Sequence, residues 1–266
     1  MNASVPPKVF IVTWCRSAEL LYGSTLTFQT LRLGFPDSEV VVIENGSPPG
    51  LREPIRDAAL AVGCEVRQLE ESQHHWSLIE SAVLGETRPV VILDPDIALW
   101  ERIDGWDFGE ALMAGRFLPE FSDPYSGTLT LSRLHTSHLW FPRPAELKAR
   151  VDQILARRFE AGSLFQPRMM PPGWWRWDTA AALFHALGPD AARFSEAQLD
   201  AYDHLFCGSH INLILPRLDP AWGAAMQESH ARAQTDLPSV KGVWRQQEVF
   251  FASRPWGGRL ETTAPG

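Results

Sequence analysis

Four short aliphatic runs, three of them followed by a segment with helical spacing, dominate the first hundred residues and leave few folds open. Lys8–Thr13 (KVFIVT), Glu39–Ile43 (EVVVI), Glu65–Leu69 and Arg88–Leu93 (RPVVIL) read as strands, and the β-branched ones have the form of strands buried on both faces. Between them, Ser17–Leu33 carries Leu20, Leu21, Leu26, Phe28 and Leu31 at helical spacing and is stopped by Gly34-Phe35-Pro36. Leu51–Val62 follows the Pro48-Pro49-Gly50 turn as a second helix, and His74–Leu84 reads as a third. Strand, helix and strand at this rhythm require right-handed crossovers, which predicts an α/β fold with a doubly wound, mostly parallel central sheet.

The remainder is less regular. Phe108–Phe117, Gly127–Leu131 and Thr136–Phe141 read as strands, and Ala145–Phe159 as an amphipathic helix. Gln166–Trp177 is rich in Pro and Trp and long for a structureless connection, so it reads as a lid. Of the 11 tryptophans, Trp174, Trp175 and Trp177 fall in that segment, where indole faces suit stacking on sugars or bases as well as packing. Asp178-Thr179 opens a helix through Leu187, Ala201–Ile214 looks strand-like around His204 and His210, and helical pieces follow from Ala221, with His230 as a surface residue of one of them.

The sharpest chemical signal is VVILDPDIALW. Asp94 and Asp96 stand one residue apart at the C-terminal end of a buried strand, where open α/β sheets bind ligands in a crevice. Carboxylate oxygens suit Mg²⁺ or Mn²⁺, and such an ion normally bridges protein acids to substrate phosphates. Pro95 stiffens the turn between the two acids. The competing reading is an ordinary acidic turn after a strand.

With that motif in place, residues 8–100 resemble the GT-A glycosyltransferases, a Rossmann-like family that uses nucleotide-diphosphate sugars and is marked by a strand-terminal DxD. The resemblance implies a single domain over 1–266, with a nucleotide-binding half at 8–100 and an acceptor-side half with C-terminal helices at 101–266. It implies that Asp96 binds the metal directly and Asp94 the metal or the ribose. Ile43–Ser47 (IENGS) is similar to the turn after the family's second strand, which would put Glu44 and Asn45 against the base or ribose, although Asn-Gly is a turn signal on its own. Thr13, Trp14 and Arg16 would border the base and phosphates, and His75 would meet the diphosphate at a helix start. A third metal ligand would come from His204 or His210. Asp178 would be the general base of an inverting transfer, with Asp123 and Glu120 as weaker alternatives; its competing role is a helix cap. The chain departs from the family in lacking an acidic pair at that position.

The resulting expectation is a metal-dependent glycosyltransferase taking Mn²⁺ or Mg²⁺ and a nucleotide-sugar donor, UDP-linked in the first instance, with an acceptor the sequence does not name. Two other readings share the motif: a nucleotide-sugar-binding protein without catalysis, and a nucleotidyltransferase, which would carry a Gly-rich basic loop where TWCRSAELLYG stands. The net charge of −8, without a basic stripe, gives nucleic acid no purchase. Walker, GxGxxG, GxSxG and zinc-spaced Cys/His patterns are missing, which argues against ATPase, dehydrogenase and hydrolase chemistry. Cys15, Cys64 and Cys207 are widely spaced, as reduced thiols of a cytoplasmic protein would be, and no apolar run is long enough to predict a transmembrane span.

Overall fold

A computed structural model of the chain describes residues 5–122, 129–156, 163–165, 175–176, 179–207 and 220–243. Seven strands form one sheet: β1 (Lys8–Thr13), β2 (Val40–Glu44), β3 (Glu65–Gln68), β4 (Val90–Leu93), β6 (Met113–Leu118), β9 (Arg133–Phe141) and β11 (Ala191–Arg193). Their order is β11-β6-β9-β4-β1-β2-β3. β4, β1, β2 and β3 run parallel, as does the pair β11 and β6. β9 alone is antiparallel to its neighbours, wedged between β4 and β6. The α/β, mostly parallel sheet anticipated above is therefore present, with strands from both sides of residue 100 sharing it.

β1 shows why the sheet sits where it does. Val9 and Ile11 enter one apolar layer with Phe28 and Leu31 of α1 (Leu26–Gly34) and Ile55 and Ala59 of α2 (Pro49–Ala61). Phe10 and Val12 enter the other, with Ile79 and Val83 of α3 (His75–Leu84), Leu147 and Val151 of α4 (Pro144–Ala156) and Leu183 of α5 (Ala181–Leu187). Alternate residues of a strand point to opposite faces, so a continuous apolar run is what a doubly covered strand needs. Outside this sheet, β7 (Phe121–Ser122), β8 (Leu129–Thr130) and β10 (Trp175–Arg176) form a small three-stranded sheet, and β5 (Ile97–Leu99) pairs with β12 (Tyr202–His204) as an antiparallel ribbon. A third apolar cluster joins Ala98 of β5 to Leu205, Cys207 and Met226, the last on the C-terminal helix α7 (Pro220–Thr235). All three cysteines are buried, and none of them is in a disulfide. Among the described residues no helix is long and apolar enough to cross a membrane.

Several boundaries differ from expectation. The helix read over Ser17–Leu33 is split: a 3₁₀ turn at Ala18–Leu20 is followed by α1, which starts only at Leu26. The Ser24 carbonyl that would have continued the helix instead accepts from the Thr13 hydroxyl. The strand read from Phe108 begins at Met113, because Gly109 turns the chain at φ 56° and Phe108 packs its ring against Trp106 and Phe194. β9 starts at Arg133, three residues earlier than its apolar pattern implies. The lid segment Gln166–Trp177 lies outside the described residues except for Trp175–Arg176, a short strand.

On β9, His138 is fully buried among Trp106, Phe194 and Tyr202, and its Nε2 accepts from Trp140 Nε1 at 2.9 Å. Burial holds its pKa down at about 3. The unfolded chain protonates this group near its ordinary value of about 6.5 and the native state does not, so stability falls as pH drops through that window. Between pH 7 and pH 5 the native protein should lose about 2 kcal/mol through His138 alone. Urea unfolding of wild type and His138→Gln at both pH values checks this, and equal losses in the two proteins would exclude it.

Candidate functional site

The Asp94-Pro95-Asp96 turn joins β4 to β5 and is held through its own backbone groups. The Asp94 amide donates to the Ser137 carbonyl of β9 at 2.8 Å, and the Leu205 amide, just past β12, donates to the Asp96 carbonyl at 3.0 Å. From below, Thr27 in the first turn of α1 grips both ends. Its amide donates to the Pro95 carbonyl at 2.8 Å, and its hydroxyl lies 2.9 Å from the Asp94 carbonyl and 2.8 Å from that of Ile97. The same hydroxyl accepts from the Ile97 amide at 2.9 Å. A buried loop must satisfy its polar groups internally, and one threonine does much of that here.

The antiparallel pairing of β5 and β12 sets His204 opposite Ile97. That register brings His204 Nε2 to 3.2 Å from Asp96 Oδ1, with Asp96 only 3% and His204 5% exposed. One ligand atom each from Asp94, Asp96 and His204 lies within 4.8 Å of the others. Two carboxylate oxygens and an imidazole nitrogen at that spacing fit a divalent cation, Mn²⁺ more naturally than Mg²⁺ because of the nitrogen donor. β12 itself is braced on both sides. Asp203 accepts from Trp100 Nε1 and from the Gly242 amide, each at 2.7 Å. His230 is a correction to the sequence reading. It is no surface bystander but half-buried, with Nε2 2.9 Å from the Leu205 carbonyl, and burial lowers its pKa.

The three residues open onto a cavity of about 510 Å³, a size that suits a nucleotide-sized ligand. Trp14, 46% exposed, forms part of its wall, together with Asn45, His74 and His75. Asn45 commits one donor and one acceptor of its amide internally. Its Nδ2 donates to the Gln73 carbonyl at 2.9 Å and its Oδ1 accepts from the Gln73 amide at 2.8 Å, so it ties the end of β2 to the segment before α3. Glu44 faces inward. Its Oε1 accepts from the Ser47 amide at 2.7 Å and Oε2 lies 3.7 Å from Arg52 Nε. Thr13 is buried with its hydroxyl on the Ser24 carbonyl, and neither it nor Glu44 is among the cavity's described walls. Arg16 and Glu120 are exposed and also stand apart from those walls. Asp178, His210 and Asp123 lie outside the described residues.

Three functional neighbours were not visible in the sequence. Thr27 is one. Phe206 is another: it holds φ 55°, costly for an aromatic residue, and its ring centroid sits 3.9 Å from that of His204. The third is His135, whose ring centroid lies 5.1 Å from that of His204, on the cavity wall. Burial, then the charges of His204, Arg133 and Arg116, push its pKa well below the ordinary histidine value. Tertiary placement brings these residues to the turn, Thr27 from a helix and His135 from a strand, and no local pattern announces it.

No family model matches the chain, and no curated protein matches its sequence. Solved structures do match at low similarity. The apo form of the glycosyltransferase GlyE from Streptococcus pneumoniae TIGR4 is 11% identical, with a TM-score of 0.42 over 72% of this chain and 46% of that one. This chain thus spans under half the length of that protein. A mannosyltransferase from Pyrobaculum calidifontis, in complex with GDP-Man and Mn²⁺, is 15% identical, with a TM-score of 0.37 over 96% and 85% of the two chains. A nucleoside-diphosphate-sugar pyrophosphorylase from Vibrio cholerae RC9 is 11% identical, with a TM-score of 0.42 over 76% and 96%. At these scores the substrate and the reaction have to be read from the site itself.

Proposed function

We propose that the protein is a metal-dependent glycosyltransferase that moves a sugar from a nucleotide-diphosphate donor, UDP-linked, to an acceptor hydroxyl. The observation that carries this reading is the gathering of Asp94, Asp96 and His204 on the wall of one cavity that also holds an exposed indole, Trp14. A cation site beside an aromatic face in a space of about 510 Å³ has the parts that a nucleoside diphosphate needs.

Asp96 and His204 would hold Mn²⁺ or Mg²⁺, with Asp94 on the metal or the ribose. The cation would neutralise charge on the diphosphate as it departs. Trp14 would stack on the base, and the amides opening α3, next to His74 and His75, would favour the anionic phosphates. For transfer with inversion, the acceptor oxygen forms its bond to the anomeric carbon as the bond to the diphosphate oxygen breaks, and the Asp178 carboxylate takes the acceptor proton.

Calorimetric titration with UDP and with GDP, each with and without Mn²⁺, tests the reading. Metal-dependent binding of UDP is the expected outcome. Tight, metal-dependent GDP binding in its place would keep the site and change the donor. Binding of neither nucleotide in the presence of Mn²⁺ would overturn the proposal.

A further inference from the structure

Resting on that reading, we infer that His135 is a substrate-contacting residue, its Nε2–H donating a hydrogen bond to the diphosphate of the bound nucleotide. The first support is how the strand delivers it. β9 pairs regularly with β6 at Leu139 opposite Gly115 and at Leu134 opposite Phe117. Between those pairs a single residue on β6, Arg116, faces four on β9, His135 to His138. Such an irregularity is a bulge, and bulges beside sites re-aim a side chain that regular pairing would have placed elsewhere. This one lies where β9 also receives the Asp94 amide, on the Ser137 carbonyl.

The second support is the tautomer. The Ser137 amide donates to His135 Nδ1 at 3.3 Å, and the Ser137 hydroxyl lies against the same nitrogen. The tautomer that satisfies the amide contact is the one with the ring proton on Nε2, since a nitrogen accepting a backbone N–H carries none of its own. His135 therefore has one donor to offer, and it belongs to a residue that lines the cavity beside His204. His135 is not part of the cation cluster, which takes its atoms from Asp94, Asp96 and His204. A donor adjacent to a cation site, yet outside the ligand set, meets the phosphate oxygens that the cation draws in. Ser137 thus orders two things at once, the Asp94 turn through its carbonyl and the His135 ring through its amide.

The test compares wild type, His135→Ala and His135→Gln, the last restoring an N–H donor at the end of a side chain of similar reach. Each is titrated with Mn²⁺ alone, then with whichever of UDP and GDP the wild type binds in the presence of Mn²⁺. The expected result is Mn²⁺ affinity unchanged in all three, nucleotide affinity about tenfold weaker in His135→Ala, the scale of one hydrogen bond to a charged group, and most of it regained in His135→Gln. Unchanged nucleotide affinity in His135→Ala would overturn the inference, as would failure of Gln to restore it. Weakened binding of Mn²⁺ alone would also overturn it, by making His135 a metal ligand. A wild type that binds neither nucleotide with Mn²⁺ would overturn the underlying functional reading instead, and this inference with it.

Discussion

Asp96→Asn is expected to weaken Mn²⁺ binding at least about 100-fold, or about 2.7 kcal/mol, while leaving the fold in place. The substitution keeps the side chain's shape and an oxygen that can accept from His204 Nε2, now 3.2 Å from the carboxylate. What it removes is the negative charge, at a position only 3% exposed where water cannot make up the difference. The turn should survive because its backbone restraints remain in the variant. Thr27 holds the Asp94, Pro95 and Ile97 carbonyls, Ser137 holds the Asp94 amide, and the Leu205 amide holds the Asp96 carbonyl. Calorimetry with Mn²⁺ and a thermal melt of the apo-protein together check both halves. Mn²⁺ affinity within threefold of wild type would remove Asp96 from the metal site. A Tm lowered by about 10 °C would make the carboxylate a structural element, since about 1 kcal/mol moves Tm by 2–4 °C at this size.

The parts of the fold legible in the sequence are those governed by local pattern. β1 is read to the residue, because a β-branched apolar run preceded by Pro6-Pro7 and buried on two faces has one economical structure. The three crossover helices and β2 to β4 follow within a few residues for the same reason. The exception is instructive. Ser17 to Thr25 has helical spacing but forms a 3₁₀ turn and further turns, because the Thr13 hydroxyl competes for the Ser24 carbonyl across the chain. Side-chain competition of this kind depends on tertiary placement and leaves no periodic trace.

The site divides along the same line. Asp94 and Asp96 are legible because a strand end delivers them, and His204 because a histidine is a chemically suitable third donor. Their convergence is a matter of register: the β5–β12 ribbon puts His204 opposite Ile97, and β5 itself is three residues long, too short for a pattern to reveal. Glu44 and Asn45 carry the opposite lesson. Their chemistry suits a nucleoside, but in the fold both make internal bonds, Glu44 to the Ser47 amide and Asn45 to the Gln73 backbone. His135 and Thr27 were invisible because a bulge and a helix–turn contact place them, and neither is written in spacing.

The Asn45-Gly46 pair after β2 carries the second large effect, Gly46→Ala. Gly46 sits at φ 74°, where a Cβ costs about 1–2 kcal/mol by conformation alone. The added carbon would also lie 2.5 Å from the Ser72 amide nitrogen and 2.7 Å from the Glu71 carbonyl carbon. Both are backbone atoms that no rotamer change can clear, so relief requires moving one segment off the other, at about 1–3 kcal/mol more. Asn45 resists that movement through its two bonds to Gln73. The expected total is about 3 kcal/mol or more, a fall in Tm of about 6–12 °C, read by thermal or urea unfolding. The displaced segment leads directly into His74 and His75 on the cavity wall, whereas the metal trio stands on β12 and the turn after β4. At temperatures where the variant is folded, Mn²⁺ alone should therefore bind as in wild type while the nucleotide binds more weakly. A Tm within 2 °C of wild type would show that the 71–73 segment yields without cost, and that Asn45 and Gly46 do not fix the wall that carries the two histidines.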